Sequence, residues 1–137
     1  MGLILDSSAL VAAERQGWNA RQILSSIARQ ISETEIGLSV VTLIELAHGA
    51  ARADTLGRKA KRLEFIEELQ TAMPIHHVTV SVALRTGHID GESQARGVRI
   101  PLPDLLIAVT ALELGYSVGT ANLRDFNLVP GLSVVQL

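Results

Sequence analysis

Four acidic residues in this 137-residue chain sit where carboxylates can do chemistry. Asp6 closes the apolar run GLIL, Glu45 lies inside VVTLIELA, Asp104 follows Pro103 at the head of PLPDLLIAVTALELG, and Asp125 stands three places after Asn122 in TANLRDF. Each also has an ordinary role open to it. Asp6 could cap the helix that follows it or close an Asx-turn. Asp104 could favour its helix dipole by about 0.3–1 kcal/mol, and Asp125 could be a surface turn residue or pair with Arg124. Glu45 is the hardest to dismiss. With Val41, Ile44 and Leu46 around it, its face of the helix reads as buried, so an ionised carboxylate there needs a partner such as Arg52 or a bound cation.

The elements that must position these residues follow from periodicity. GLIL, IGLS, IHHVTV, YSVGT and LSVVQL read as strands. SALVAAERQ reads as a helix with Ser7 or Ser8 as N-cap. NARQILSSIARQI, VVTLIELAHGAARA, residues 56–73 up to Pro74, and about 80–96 also have helical spacing. PLPDLLIAVTALELG, almost wholly apolar between a start signal and a Gly stop, reads as a buried helix. Short apolar strands alternating with helices predict an α/β fold with a mostly parallel central sheet flanked by helices. Ligands bind outside the C-terminal ends of the strands in such sheets. Asp6 and Asn122 both fall just past a strand.

Composition narrows the classes. The length suits one domain spanning residues 1–137. Hydrophobic residues are 47% and charged residues 19%, so the chain can bury a core. Aromatics are only 3%, too few for base-stacking platforms. The absence of cysteine excludes disulfides and thiolate metal sites and suits a reducing cytoplasm. No secretory signal or membrane span is visible. A net charge of −2 argues against a protein that coats nucleic acid by charge alone, though not against a nuclease. Arg52, Arg58, Lys59, Lys61 and Arg62 crowd one segment opposed there only by Asp54, and Arg58, Lys59, Lys61 and Arg62 could contact phosphate or form a solvated helix face.

The order of strand–Asp6, helix–Glu45, helix-start Asp104 and post-strand Asn122/Asp125 is the acidic pattern of a PIN domain. LILDSSALVA, SVVTLIELAHG, PLPDLLIAVTALELG and TANLRDFNLVPGLSVV resemble, in order and spacing, the motifs of VapC-type toxins from bacterial and archaeal toxin–antitoxin pairs. The resemblance covers about residues 2–136, and residues 50–98 match only in helical character. It implies a PIN-like fold and an endoribonuclease that holds Mg²⁺ or Mn²⁺ with Asp6, Glu45, Asp104 and Asp125. Ser7, Ser8, Thr120 and Asn122 would support those acids. It also implies a VapB-type antitoxin as partner, an RNA substrate and a homodimer. Carboxylates crowded together repel unless a cation joins them, and hard divalent ions prefer oxygen ligands. Asn122 departs from the fullest acidic pattern, leaving Asp125 as the charged residue of that motif.

Other classes fit less well. A receiver domain needs a late Lys, whereas the only lysines are Lys59 and Lys61. A haloacid-dehalogenase phosphatase needs a second Asp two residues after its first, where this chain has Ser8. Adjacent His76 and His77 would point to opposite faces of a strand, which argues against a shared metal site. The alternative kept open is a PIN-like module that binds RNA or protein without cutting.

Overall fold

The computed structural model describes residues 1–31 and 34–137. Strand β1 (Gly2–Leu5) leads into α1 (Ser7–Arg15) and α2 (Ala20–Gln30). Next come β2 (Glu35–Ser39), α3 (Val40–Ala51), α4 (Leu56–Ala72) and the two-residue β3 (Ile75–His76). Helices α5 (Val80–Ala95) and α6 (Leu102–Leu114) precede β4 (Ser117–Thr120), the short α7 (Leu123–Phe126) and β5 (Val134–Gln136). All the strand pairings are parallel, in the order β3-β2-β1-β4-β5. The order therefore turns around β1. Its two neighbours, β2 and β4, carry the chain away in opposite directions, and such a switch point opens a crevice at the strands' C-terminal ends.

Alternation along β1 splits the core in two. Leu3 and Leu5 face α1, α2 and α4 with Leu10, Ile23, Ile27, Phe65 and Leu69. Ile4 and Val118 face the other layer, where α6 contributes Leu105, Ile107, Ala108, Val109 and Ala111. Apolar residues all round α6 thus mean burial, as the sequence predicts. Gly115 ends that helix in the left-handed conformation, at φ 71°. Gly119 meets a different need. A Cβ there would lie 2.9 Å from a Leu137 methyl and 3.0 Å from a Leu3 methyl, so glycine lets these side chains pack over β4 without shifting.

Three local expectations are revised. Asp6, not Ser7 or Ser8, is the N-cap of α1, with its side chain accepting the Ala9 N–H. The strand expected over IHHVTV ends at His76; residues 77–79 are irregular, and Thr79 caps α5 by accepting the Val82 N–H, so Val80 begins that helix. Ile44 is 66% exposed, so the apolar setting of Glu45 comes from Val41 and Leu46 alone on its own helix. No helix among the described residues is long and apolar enough to cross a membrane.

Arg62 ties helix α4 to α1 and α3 by its side chain. Arg62 donates from Nε and Nη2 to both carboxylate oxygens of Glu14 on α1, at 2.6–3.1 Å, and from Nη1 to the Leu46 carbonyl of α3 at 3.3 Å. Gly49 lies directly beneath the guanidinium, where a Cβ would collide with Nη1. Arg58, by contrast, pairs with Asp54 in the open. Hydrogen bonds to charged groups that are partly shielded stabilise more than exposed pairs do. Arg62→Ala should therefore cost about 2 kcal/mol in urea unfolding, and Arg58→Ala less than about 0.5 kcal/mol.

Candidate active site

The C-terminal ends of β1 and β4 carry the first part of the site. Asp6 is 4% exposed and held from several sides. Ser8 Oγ lies 2.9 Å from both of its carboxylate oxygens, Thr120 Oγ1 donates to Oδ2 at 2.8 Å, and the Ala9 N–H donates to Oδ1 at 3.1 Å. The two hydroxyls stand 3.1 Å apart. The Asp6 N–H donates to the Gly119 carbonyl, and the Ala121 N–H to Ser8 Oγ, which locks the two strand ends together. The N-cap of α1 is thus also the residue on which both hydroxyls converge. Burial pushes its carboxyl above the usual range, against the hydrogen bonds from Ala9, Thr120 and Ser8.

The other three acids arrive on separate helices. Glu45 projects from α3, and the Ser7 hydroxyl hydrogen-bonds it. Its Oε1 is buried with no hydrogen-bond partner. Arg52, the counter-charge considered for it, instead ends α3 through its backbone N–H. Burial raises the Glu45 pKa, and the charge of Asp6 raises it further. Asp104 lies in the first turn of α6. Its pKa is raised to about 6, first by burial and then by the charges of Glu45, Asp125 and Asp6, with a hydrogen bond to Asp125 adding to the shift. Asp6, Glu45, Asp104 and Asp125 therefore form one electrostatic group, drawn from β1, α3, α6 and α7.

Asn122 and Asp125 divide their tasks. TANLRDF does coil into a short helix, and Asn122 is its N-cap, with Oδ1 accepting the Arg124 N–H at 3.3 Å. The Asn122 N–H in turn donates to Thr120 Oγ1. Asn122 thus faces backbone, while Asp125 faces Asp104.

An unpartnered buried oxygen on Glu45 and a set of mutually repelling carboxyls suit a hard divalent cation. Among the described residues no three His, Cys, Asp or Glu side chains stand close enough to form a complete ligand cage. No histidine joins the group. His76 packs edge-on to Tyr116, 6.3 Å between ring centres, and His48, His77 and His88 are exposed.

The basic cluster is divided as well. Arg62 and Arg58 are engaged by Glu14 and Asp54, while Lys59 and Lys61 are exposed and make no ion pair among the described residues. Glu14, which anchors Arg62, carried no signal in the sequence; 48 residues separate the partners.

The profile of the family described as PIN domain matches residues 3–132. The chain belongs to the PIN domain family. Ribonuclease VapC1 of Rickettsia felis is 30% identical over 135 residues, covering 98% of this chain and 96% of that one. The tRNA(fMet)-specific endonuclease VapC of Salmonella typhimurium is 28% identical over 104 residues, 76% of each chain. In fold, the chain matches the structure of VapBC2 from Rickettsia felis bound to a promoter DNA fragment, with a TM-score of 0.84 at 20% identity, covering 100% of this chain and 99% of that one. A parallel sheet with acids at its switch point is thus a PIN domain arrangement here, as the sequence motifs implied.

The raised pKa of Asp104 has a consequence for stability. A carboxyl that titrates near 6 when folded and near 3.8 otherwise keeps its proton in the fold after the unfolded chain has lost it. Between those values the folded state binds more protons, so its contribution to stability falls as pH rises through about 6. In metal-free buffer Asp104→Asn should raise the thermal midpoint by a few degrees at pH 8, and the difference should vanish near pH 4. Differential scanning calorimetry at both pH values checks this.

Proposed function

We propose that this chain is a divalent-metal-dependent endoribonuclease, the toxin of a toxin–antitoxin pair. The observation that carries the reading is the group of four carboxyls at the β1/β4 switch point, with Glu45 Oε1 left without a partner and no histidine nearby. Asp6, Glu45, Asp104 and Asp125 would hold Mg²⁺ or Mn²⁺. When bound there, such an ion supplies acidity to a water and positive charge to a phosphodiester.

The chain's own residues do the positioning. Ser8, Thr120 and the Ala9 N–H fix the Asp6 carboxylate, and Ser7 orients Glu45. Asp125 holds Asp104 by the hydrogen bond between them. Asn122 keeps α7 in register, and the Asn122 N–H fixes the Thr120 hydroxyl that reaches Asp6. Outer hydrogen-bond partners of this kind set metal affinity by about 10–100-fold.

The partner reading has a surface to match. An apolar groove of about 230 Å³ runs between α1 and α2, lined by Leu10, Ala13, Trp18, Ile23 and Ile27, and reaches Ala121 beside Thr120. A VapB-type antitoxin could lay an apolar segment along it and bring a basic side chain to the carboxyls. The homodimer fits the exposed apolar pair Val80 and Leu84, one turn apart on α5. A chain without cysteine acting on cellular RNA belongs in the cytoplasm.

Cleavage of RNA should require Mg²⁺ or Mn²⁺, stop in excess EDTA, and be abolished by Asp6→Asn or Asp104→Asn with the circular dichroism spectrum unchanged. RNA binding without cleavage at any ion concentration would make the chain a binding module instead.

A finer test separates the two residues of the last motif. Asp125→Asn should lose more Mn²⁺ affinity than Asn122→Ala, because only Asp125 brings charge to the cluster, and both should slow cleavage. Titration calorimetry reads the affinities. Unchanged Mn²⁺ binding in Asp125→Asn would make that acid structural.

A further inference from the structure

Helices α1 and α3 both start at the acidic end of the sheet and run away from it. Ser7 of α1 meets Glu45 of α3 near their start. Further along, Glu14 of α1 and the Leu46 carbonyl of α3 meet Arg62 of α4. Between these three helices lies a groove of about 510 Å³, lined by Glu14, Arg15, Gly49, Ala53, Arg58, Lys61 and Arg62. Gly49 is one helical turn beyond Glu45 and on the same face of α3. At 1.5 Å per residue, the groove opens about 6 Å from Glu45 along α3 and about 10 Å from Ser7 along α1.

Its charge is opposite to that of the site. Four of the lining residues are cations and one is a carboxylate. Glu14 and Asp54 engage Arg62 and Arg58, whereas Arg15 and Lys61 make no ion pair among the described residues. Residues 58, 61 and 62 share a face of α4 by their i, i+3, i+4 spacing. Gly49 and Ala53 leave the floor low. A concave cationic surface on a chain of net charge −2, a helical turn from a cluster of carboxyls, counters the repulsion those carboxyls exert on a polyanion.

We propose that this groove binds the RNA backbone beside the cleaved bond, with Arg15 and Lys61 as its phosphate contacts. The proposal rests on the ribonuclease reading for the identity of the polyanion. Arg62 shapes the groove by its clamp, and Arg15 and Lys61 supply free charge. Both are exposed, so changing them leaves the core untouched. Arg15 and Lys61 thus act on where and how tightly RNA lies, not on bond breaking.

The test uses the full chain and a fluorescein-labelled single-stranded RNA. Anisotropy in EDTA, repeated across salt concentrations, should show the slope of log K against log salt fall by about 0.7 for each of Arg15→Gln and Lys61→Gln. Lys61→Arg should keep the wild-type slope, and Arg29→Gln, on α2 away from the groove, should not change it. With Mg²⁺ present, the double variant should raise KM roughly tenfold and leave kcat within about twofold, the pattern of lost uniform binding. An unchanged slope in the double variant overturns the proposal, even where wild-type protein cleaves. An unchanged slope with weakened capture of antitoxin overturns it in favour of a protein contact. Failure of wild-type protein to cleave refutes the ribonuclease reading, and the binding slopes still decide whether the groove takes RNA.

Discussion

Repulsion among four carboxyl groups is the constraint the rest of this fold works against. Burial first, and then the charges of Glu45, Asp125 and Asp6, raise the Asp104 carboxyl to about 6. A domain of this size has only a few kcal/mol of stability in reserve, so such a cluster persists only where the scaffold leaves the acids no retreat. Asp6 is caught between β1 and β4, and Asp104 sits in the first turn of a helix buried on nearly every side. Core packing on both faces of the sheet supplies that stiffness.

The topology explains why the acids come from such distant points of the chain. A parallel sheet needs crossovers, so residues at the C-terminal ends of adjacent strands are necessarily far apart in sequence. β1 and β4 are neighbours in space although more than a hundred residues separate them. The hydroxyls of Ser8 and Thr120 meet across that junction. Each does two things at once, satisfying a buried carboxylate and fastening two strand ends. A loss of either would therefore be felt both in the seating of the Asp6 carboxylate and in stability.

Much of this was legible in the sequence, because the signals were local. Five apolar strands, a Gly-terminated buried helix and a Pro-terminated α4 announce themselves through periodicity and punctuation. Asp6 was ambiguous between cap and site, and the structure shows it as a cap that also lies within electrostatic reach of Asp104. What was not legible depended on tertiary contact. Nothing in the order of residues links Glu14 to Arg62, so the basic segment read as one undivided patch. Helical periodicity alone placed Ile44 with the apolar residues around Glu45, because the sequence does not say which side of α3 lacks a neighbour. The strand at IHHVTV is present but stops at His76, shorter than its sequence suggested, because Thr79 caps α5 and the chain leaves the sheet to start that helix at Val80.

The pairing of β1 with β4 also sets the order in which the molecule can become dangerous. Asp6 is made before its hydroxyl partner Thr120 and the carboxyl of Asp125, which follow it by more than a hundred residues. Synthesis from the N-terminus leaves β1 waiting for its neighbour while α1 to α6 form. No partial chain shorter than about residue 126 can assemble the four acids. The four acids thus come together only once nearly the whole described chain has been made, and chain order acts as a built-in delay.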